Sequence, residues 1–164
     1  MHGPPPDTGR VFEVIWHYQT VIEYVIAALN RDIVREIRMA DDCIQRAGSV
    51  AQPYSDFQRL IVRYAASAMS NATALAAEVL SLGGVPCAYK PRPRGGARAT
   101  ASIEEYLVQA QALLAHYQER LAMAEKLGLP RLREVLRDII ASKRSHVKDA
   151  VIVAAVGSRP RQLN

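Results

Sequence analysis

Metal and acid–base chemistry needs histidine, cysteine and carboxylate side chains in one place, and this chain is sparing with them, holding four histidines and two cysteines among 164 residues. Cys43 and Cys87 lie far apart with no C-x-x-C or Cys/His spacing, so neither a zinc site nor a disulfide framework is signalled and reduced thiols are expected. Glu13 and His17, with Glu23 further along, and His116 with Glu119 could be written as metal pairs on helix faces; solvated helix surface explains them. Glu36, Asn71, Lys143 and His146 differ, because each falls at a seam position of its helix and the four should therefore meet midway along a bundle. No Gly-rich phosphate loop, nucleophile elbow or catalytic triad pattern is present.

The elements that position these residues follow from apolar spacing. Val11, Ile15, Tyr18, Ile22, Leu29, Ile33, Ile37 and Ile44 recur at a period near 3.6 and predict one long helix ending near Gly48. After a polar connection over residues 49–53, Phe57, Ile61, Tyr64, Ala68, Ala72, Leu75, Val79 and Leu82 predict a second helix, stopped by Gly83 and Gly84. Ser102 with Glu105 reads as a capping box opening a third helix through Tyr106, Ala110, Leu113, Tyr117, Leu121 and Ala124, closed by Gly128. Pro130 starts a fourth, carried by Leu132, Val135, Leu136, Ile139, Lys143, His146, Ala150 and Val153 to about Val156.

Connection lengths choose among the possible bundles. Short loops join helices one and two, and three and four, which predicts two antiparallel hairpins. The middle connection, Gly83 to Ala101, holds Pro86, Pro91, Pro93, Gly95 and Gly96 and has no helical period. Extended, it reaches on the order of 60 Å, against roughly 42 Å for a helix of about 28 residues, so it can cross the whole bundle and leave helices two and three parallel. The expected organisation is a flexible N-terminal segment over residues 1–8, an all-α four-helix bundle over 9–157, and a flexible basic tail over 158–164.

The residues carry a resemblance as well. Leu29-Asn30-Arg31-Asp32-Ile33-Val34-Arg35-Glu36, the segment Ala77 to Pro86, Ser102-Ile103-Glu104-Glu105-Tyr106-Leu107 and Ile139 to Val147 together resemble bacterioferritin, in the same order and spacing over most of the chain. The resemblance implies a ferritin-like fold and a diiron ferroxidase centre, in which each helix pair supplies a Glu and a Glu-x-x-His so that carboxylates bridge two irons. Carried over residue by residue, Glu36 and His146 are the remaining metal ligands, while Ala68, Asn71, Ala110 and Lys143 stand at replaced ligand positions. A shifted match of helix three puts Leu114 in place of Ala110, and neither supplies a carboxylate. Two readings of Lys143 follow: an internal ion pair with Glu36, in which its ammonium takes the place of the metal cations, or a side chain that snorkels to the surface. Met69 falls where the family has a haem-ligating methionine shared across a twofold interface, and is the candidate haem ligand.

The expected function is accordingly that of a bacterioferritin-like subunit related to iron storage, without ferroxidase chemistry and with a structural or haem-carrying role. Iron and haem are the candidate cofactors. The alternatives are an active ferroxidase with a rearranged site and a basic, Dps-like DNA-associated protein. The hydrophobic fraction of 49% and the low aromatic share of 6% suit one helical domain. A net charge of +5, a pI near 9.5 and the basic edge Lys90, Arg92, Arg94, Arg98, Arg159 and Arg161 are read as solubilising surface, so nucleic acid is not the expected partner. Residues Val14, Val25 and Ile26, read as outward and apolar, imply a homo-oligomer, as a dimer or larger shell, or co-assembly with an active ferritin-like subunit. With no signal-peptide pattern behind Met1 and no apolar run long enough to span a bilayer, a cytoplasmic protein is expected.

Overall fold

The computed structural model describes residues 8–49, 55–89 and 103–157. The expected flexible ends, the basic edge and the capping Ser102 lie outside them, except that Thr8 already belongs to the first helix. Four helices follow in order: α1, Thr8–Ser49; α2, Ser55–Ser81; α3, Ile103–Lys126; and α4, Pro130–Gly157. No strand occurs among the described residues, and no helix there is long and apolar enough to cross a membrane.

Glycine sets both described helix stops. After α2, Gly84 N donates to Val79 O and Gly83 N to Leu80 O, with Gly83 at φ 81°, a left-handed end that costs a residue with a Cβ about 1 kcal/mol. The same pair of bonds closes α3 through Leu129 N and Gly128 N, with Gly128 at φ 63°. Gly84 has a further duty, since a Cβ there would stand 2.7 Å from Ile26 Cγ2 and 2.9 Å from its Cδ1. Gly84→Ala is expected to destabilise the protein by about 1–3 kcal/mol, because the chain leaving α2 must lift off α1. A urea midpoint unchanged from wild type would show that Ile26 simply rotates away.

Side-chain contacts fix the helix directions. Gln58 Nε2 donates to Ala47 O (2.9 Å) at one end of α1 and α2, and Gly84 lies on Ile26 at the other, so the two are antiparallel. Arg63 meets Asp149 (2.9 Å), Ser67 meets Ser142 (2.8 Å) and Glu78 meets Arg131 (2.7 Å), so α2 and α4 are antiparallel. Asp32 meets Arg120 (2.7 Å) and Glu36 meets Tyr117 (2.8 Å), so α1 and α3 are antiparallel as well. Helices α2 and α3 therefore run parallel, as the long crossover requires. Its described beginning lies along α1, where Asn30 receives the Cys87 N–H and donates to Val85 O.

The core falls into two apolar clusters on either side of a buried polar layer. Leu29, Ile33, Leu75, Val79, Tyr117, Leu136 and Ile139 centre one, and Ala40, Cys43, Ile61, Tyr64, Ala68, Tyr106 and Ala110 the other. Three of the four predicted seams point inward as read. In α1 the seam holds at Leu29 and Ile33, which are buried, but Tyr18 (62% exposed) and Ile44 (60%) face solvent, while Val25, read as outward, is fully buried and Ile26 packs against Gly84. The buried face of α1 is Val25, Ala28, Leu29, Asp32, Ile33, Glu36, Ala40, Cys43 and Ala47, whose charged and small members dilute the apolar signal. At about 1.5 Å per residue the 42-residue α1 is roughly 63 Å long against about 40 Å for α2, so its first turns project beyond the bundle end marked by Ile26 and Gly84. Trp16 (77% exposed) stands on that projection.

Candidate functional site

The polar layer is built around Glu36, a fully buried carboxylate on α1. Its Oε2 accepts from Lys143 Nζ of α4 at 2.7 Å and from Asn71 Nδ2 of α2 at 3.2 Å, and its Oε1 accepts from the Tyr117 hydroxyl of α3 at 2.8 Å. Each helix thus contributes one group. The Lys143 ammonium is itself buried and lies 6.0 Å from the Tyr117 ring centroid, so the internal pair is present and the lysine does not snorkel. Burial first, and then the Glu36 charge, push the Tyr117 hydroxyl far above its ordinary range, which keeps it a donor to the carboxylate. Next to this layer, burial raises the Cys43 thiol to about 11, so it stays protonated and unreactive.

His146 joins the layer only at its edge. Its ring packs edge-on against Tyr64 at a centroid distance of 4.2 Å, and Tyr64 in turn stacks on Tyr106 at 4.8 Å. The Tyr64 hydroxyl donates to the His146 backbone carbonyl. Burial, and then the neighbouring Lys143 ammonium, hold the His146 imidazole down at about 4 against an ordinary 6.5. An unfolded chain therefore takes up a proton in that window that the folded chain refuses. The stability tied to neutral His146 is complete above pH 6.5 and is lost as the pH falls toward about 4. Relative to wild type, His146→Asn should flatten the fall of the urea midpoint over that window; an identical slope would mean that the imidazole titrates freely.

Ala68 and Ala110 are buried in the cluster around Tyr64 and Tyr106 and offer methyl groups at the other two replaced positions. These residues do not fit a diiron centre. A single carboxylate already accepts from three donors, one of them an ammonium, and the imidazole faces a tyrosine ring. Among the described residues no group of three His, Cys, Asp or Glu side chains could hold a metal ion. Met69 stands 46% exposed on the outer face of α2, with the Thr73 hydroxyl bound to its carbonyl. One exposed thioether does not make a haem site within a single chain.

A second charged constellation was not legible as such. Asp32, also fully buried, receives Arg120 Nε at 2.7 Å and Arg35 Nη1 at 3.3 Å, and its Oδ1 lies 2.7 Å from His116 Nε2. His116, read from spacing as solvated surface beside Glu119, is instead tied across the bundle, whereas His17, Glu23 and Glu119 do face solvent. Glu13 lies among the residues whose side chains are not described. The available signal was that Asp32 lies one turn before Glu36 on the same helix face, where an unpaired carboxylate would be costly. A third buried carboxylate, Glu78, takes Arg131 Nε at 2.7 Å near the end of α2.

No protein-family model matches the chain, and no curated protein matches it in sequence. Among solved structures it is similar to Dps from Thermosynechococcus elongatus, with a TM-score of 0.73 at 17% identity over 90% of this chain and 98% of that one. With four helices in two hairpins and α2 parallel to α3, the chain has the ferritin-like four-helix fold.

Proposed function

We propose that this protein is a bacterioferritin-like, non-ferroxidase subunit related to iron storage, which serves as a structural member of a homo-oligomer or of a shell shared with an active ferritin-like subunit. The observation that carries this reading is the saturation of Glu36 by Lys143, Asn71 and Tyr117. A ferroxidase centre uses carboxylates to balance the charge of two irons; here an ammonium balances the lone carboxylate, and the layer closes the core in place of metal. Oxidation of ferrous iron in air should proceed no faster with the protein than without it, and Glu36→Ala should leave the rate unchanged. Protein-dependent turnover that disappears in that variant would favour the rearranged ferroxidase instead.

Assembly rests on the surface. Trp16 and Tyr18 on the projecting part of α1, and Val62, Met69 and Leu80 along α2, are large exposed apolar side chains that self-association would cover. The solution mass should exceed that of the 18.1 kDa monomer, and Trp16→Glu should shift it downward. A monomeric wild-type protein would contradict this part. Met69 on that surface would supply a thioether to a haem shared between copies; a Soret band lost in Met69→Leu would assign the haem-carrying role, and its absence from the purified protein would leave the structural role alone.

A further inference from the structure

Helix α1 outlasts the bundle. Gly84 packs on Ile26, and Asp32 meets Arg120 six residues before α3 ends at Lys126, so α2 and α3 end, and α4 begins, level with Val25 and Ile26. Beyond that level Thr8 to Tyr24 continue as helix for roughly 25 Å. The face that α1 buries inside the bundle, through Val25, Leu29, Glu36, Ala40 and Cys43, does not stop there. Val21 and Tyr18 lie four and seven residues before Val25 on the same line, and the sequence carries it on through Val14 and Val11. Tyr18 is 62% exposed because the neighbouring helices have ended, not because it has left the stripe. We propose that this projecting stripe packs against the same stripe of a second copy of the chain, antiparallel about a twofold axis between Tyr18 and Val21, and so joins two bundles end to end. The proposal rests on the self-association proposed above and names a contact for it.

Val11, Val14, Tyr18, Val21 and Val25 recur at spacings of three, four, three and four, the pattern by which paired helices interlock, with Ile15 and Ile22 beside them. The segment does not support itself: seven of the fifteen residues from Val11 to Val25 are β-branched and none is alanine, so packing must hold the helix. Six such side chains a copy bury on the order of 1,000 Å² between two copies, the lower limit of a specific interface. Within the chain little adjoins the stripe. Residues 50–54 and 158–164 are attached at the opposite end of the bundle, and the described start of the crossover runs toward Asn30, away from the projection. Met1 to Asp7 hold no Leu, Ile, Val, Phe, Tyr or Trp to lay over it. Charge favours a copy over an acidic partner. From Thr8 to Val25 the only Arg, Lys, Asp or Glu residues are Arg10, Glu13 and Glu23, and both carboxylates fall on the far side of the helix from the stripe. Two copies therefore meet without facing like charges, while a phosphate surface finds no basic patch. The stripe faces the side on which the other three helices lie, so a parallel partner would bring its bundle into the same space; an antiparallel one lays its helix over the bundle end. Trp16 falls on the opposite face, outside this contact.

Sedimentation velocity of the full chain tests the assignment. Tyr18→Glu should lower the solution mass by half or more, whereas Gln19→Glu, the same charge at the next, outward-facing residue, should leave it unchanged. With Cys87→Ser as background, Tyr18→Cys should be trapped on oxidation as a covalent dimer of twice the 18.1 kDa chain, because the two Tyr18 positions lie within one turn of each other. Val14→Cys, carried about 17 Å from its counterpart by antiparallel pairing, should not be trapped. A mass unchanged in Tyr18→Glu, or trapping in Val14→Cys as ready as in Tyr18→Cys, would overturn this contact and leave self-association through another face standing. A monomeric wild-type protein would overturn both.

Discussion

Lys143→Met is expected to lower the free energy of unfolding by about 3–5 kcal/mol, because it leaves a carboxylate in the core without its counter-charge. Glu36 has no exposed surface, and its remaining partners, the Asn71 amide and the Tyr117 hydroxyl, are neutral. The double variant Glu36→Gln with Lys143→Met should recover most of the loss, since removing both charges of a buried pair is often neutral or stabilising. Urea unfolding of the four proteins of this cycle, at one fixed protomer concentration, gives the coupling directly. A single-variant loss below about 1 kcal/mol would mean that water reaches the layer and that the pair resembles a surface ion pair.

Asp32→Ala is the second large effect, expected at about 2–4 kcal/mol. The carboxylate is fully buried, but Arg120 and His116 are 16% and 21% exposed and can turn toward water when it is lost, so the cost should fall below that at Lys143. The damage should be local as well. Asp32 ties α1 to α3 one turn of α1 away from the Glu36–Tyr117 bond, so amide exchange should rise first around Arg120 and His116 and leave the α1–α2 hairpin protected. Uniform loss of protection over all four helices would contradict a tie confined to α1 and α3.

Much of this fold is legible in the amino-acid order because three of its helices bury nearly uniform apolar stripes. In α2, Ala68, Ala72, Leu75 and Val79 are inward at the spacing that predicts them, and Gly83 and Gly128 mark helix ends by the left-handed conformation that glycine tolerates best. Helix α1 resists the same reading because its inward face holds Asp32, Glu36 and three alanines, while Tyr18 and Ile44 supply apolar period on the outside. Periodicity weighs hydrophobicity and cannot see that a charge has a partner on another helix. The pairing of Lys143 with Glu36 could be anticipated once two opposite charges fell on facing seams. The turn of His146 toward Tyr64 could not, since it depends on side-chain rotation within one turn of helix. His116 shows the converse: a partner 84 residues away converts a residue that reads as surface into part of a buried tie.

The proposal that an ammonium stands in the place of iron is tested most directly by a crystal structure of the protein soaked in ferrous iron, with anomalous differences recorded at the iron edge. The expected map shows no iron within coordination distance of Glu36 and keeps Lys143 Nζ at its hydrogen bond of about 2.7 Å to Oε2. Iron bound to Glu36, with Lys143 turned away to make room, would contradict the reading and return the site to metal chemistry.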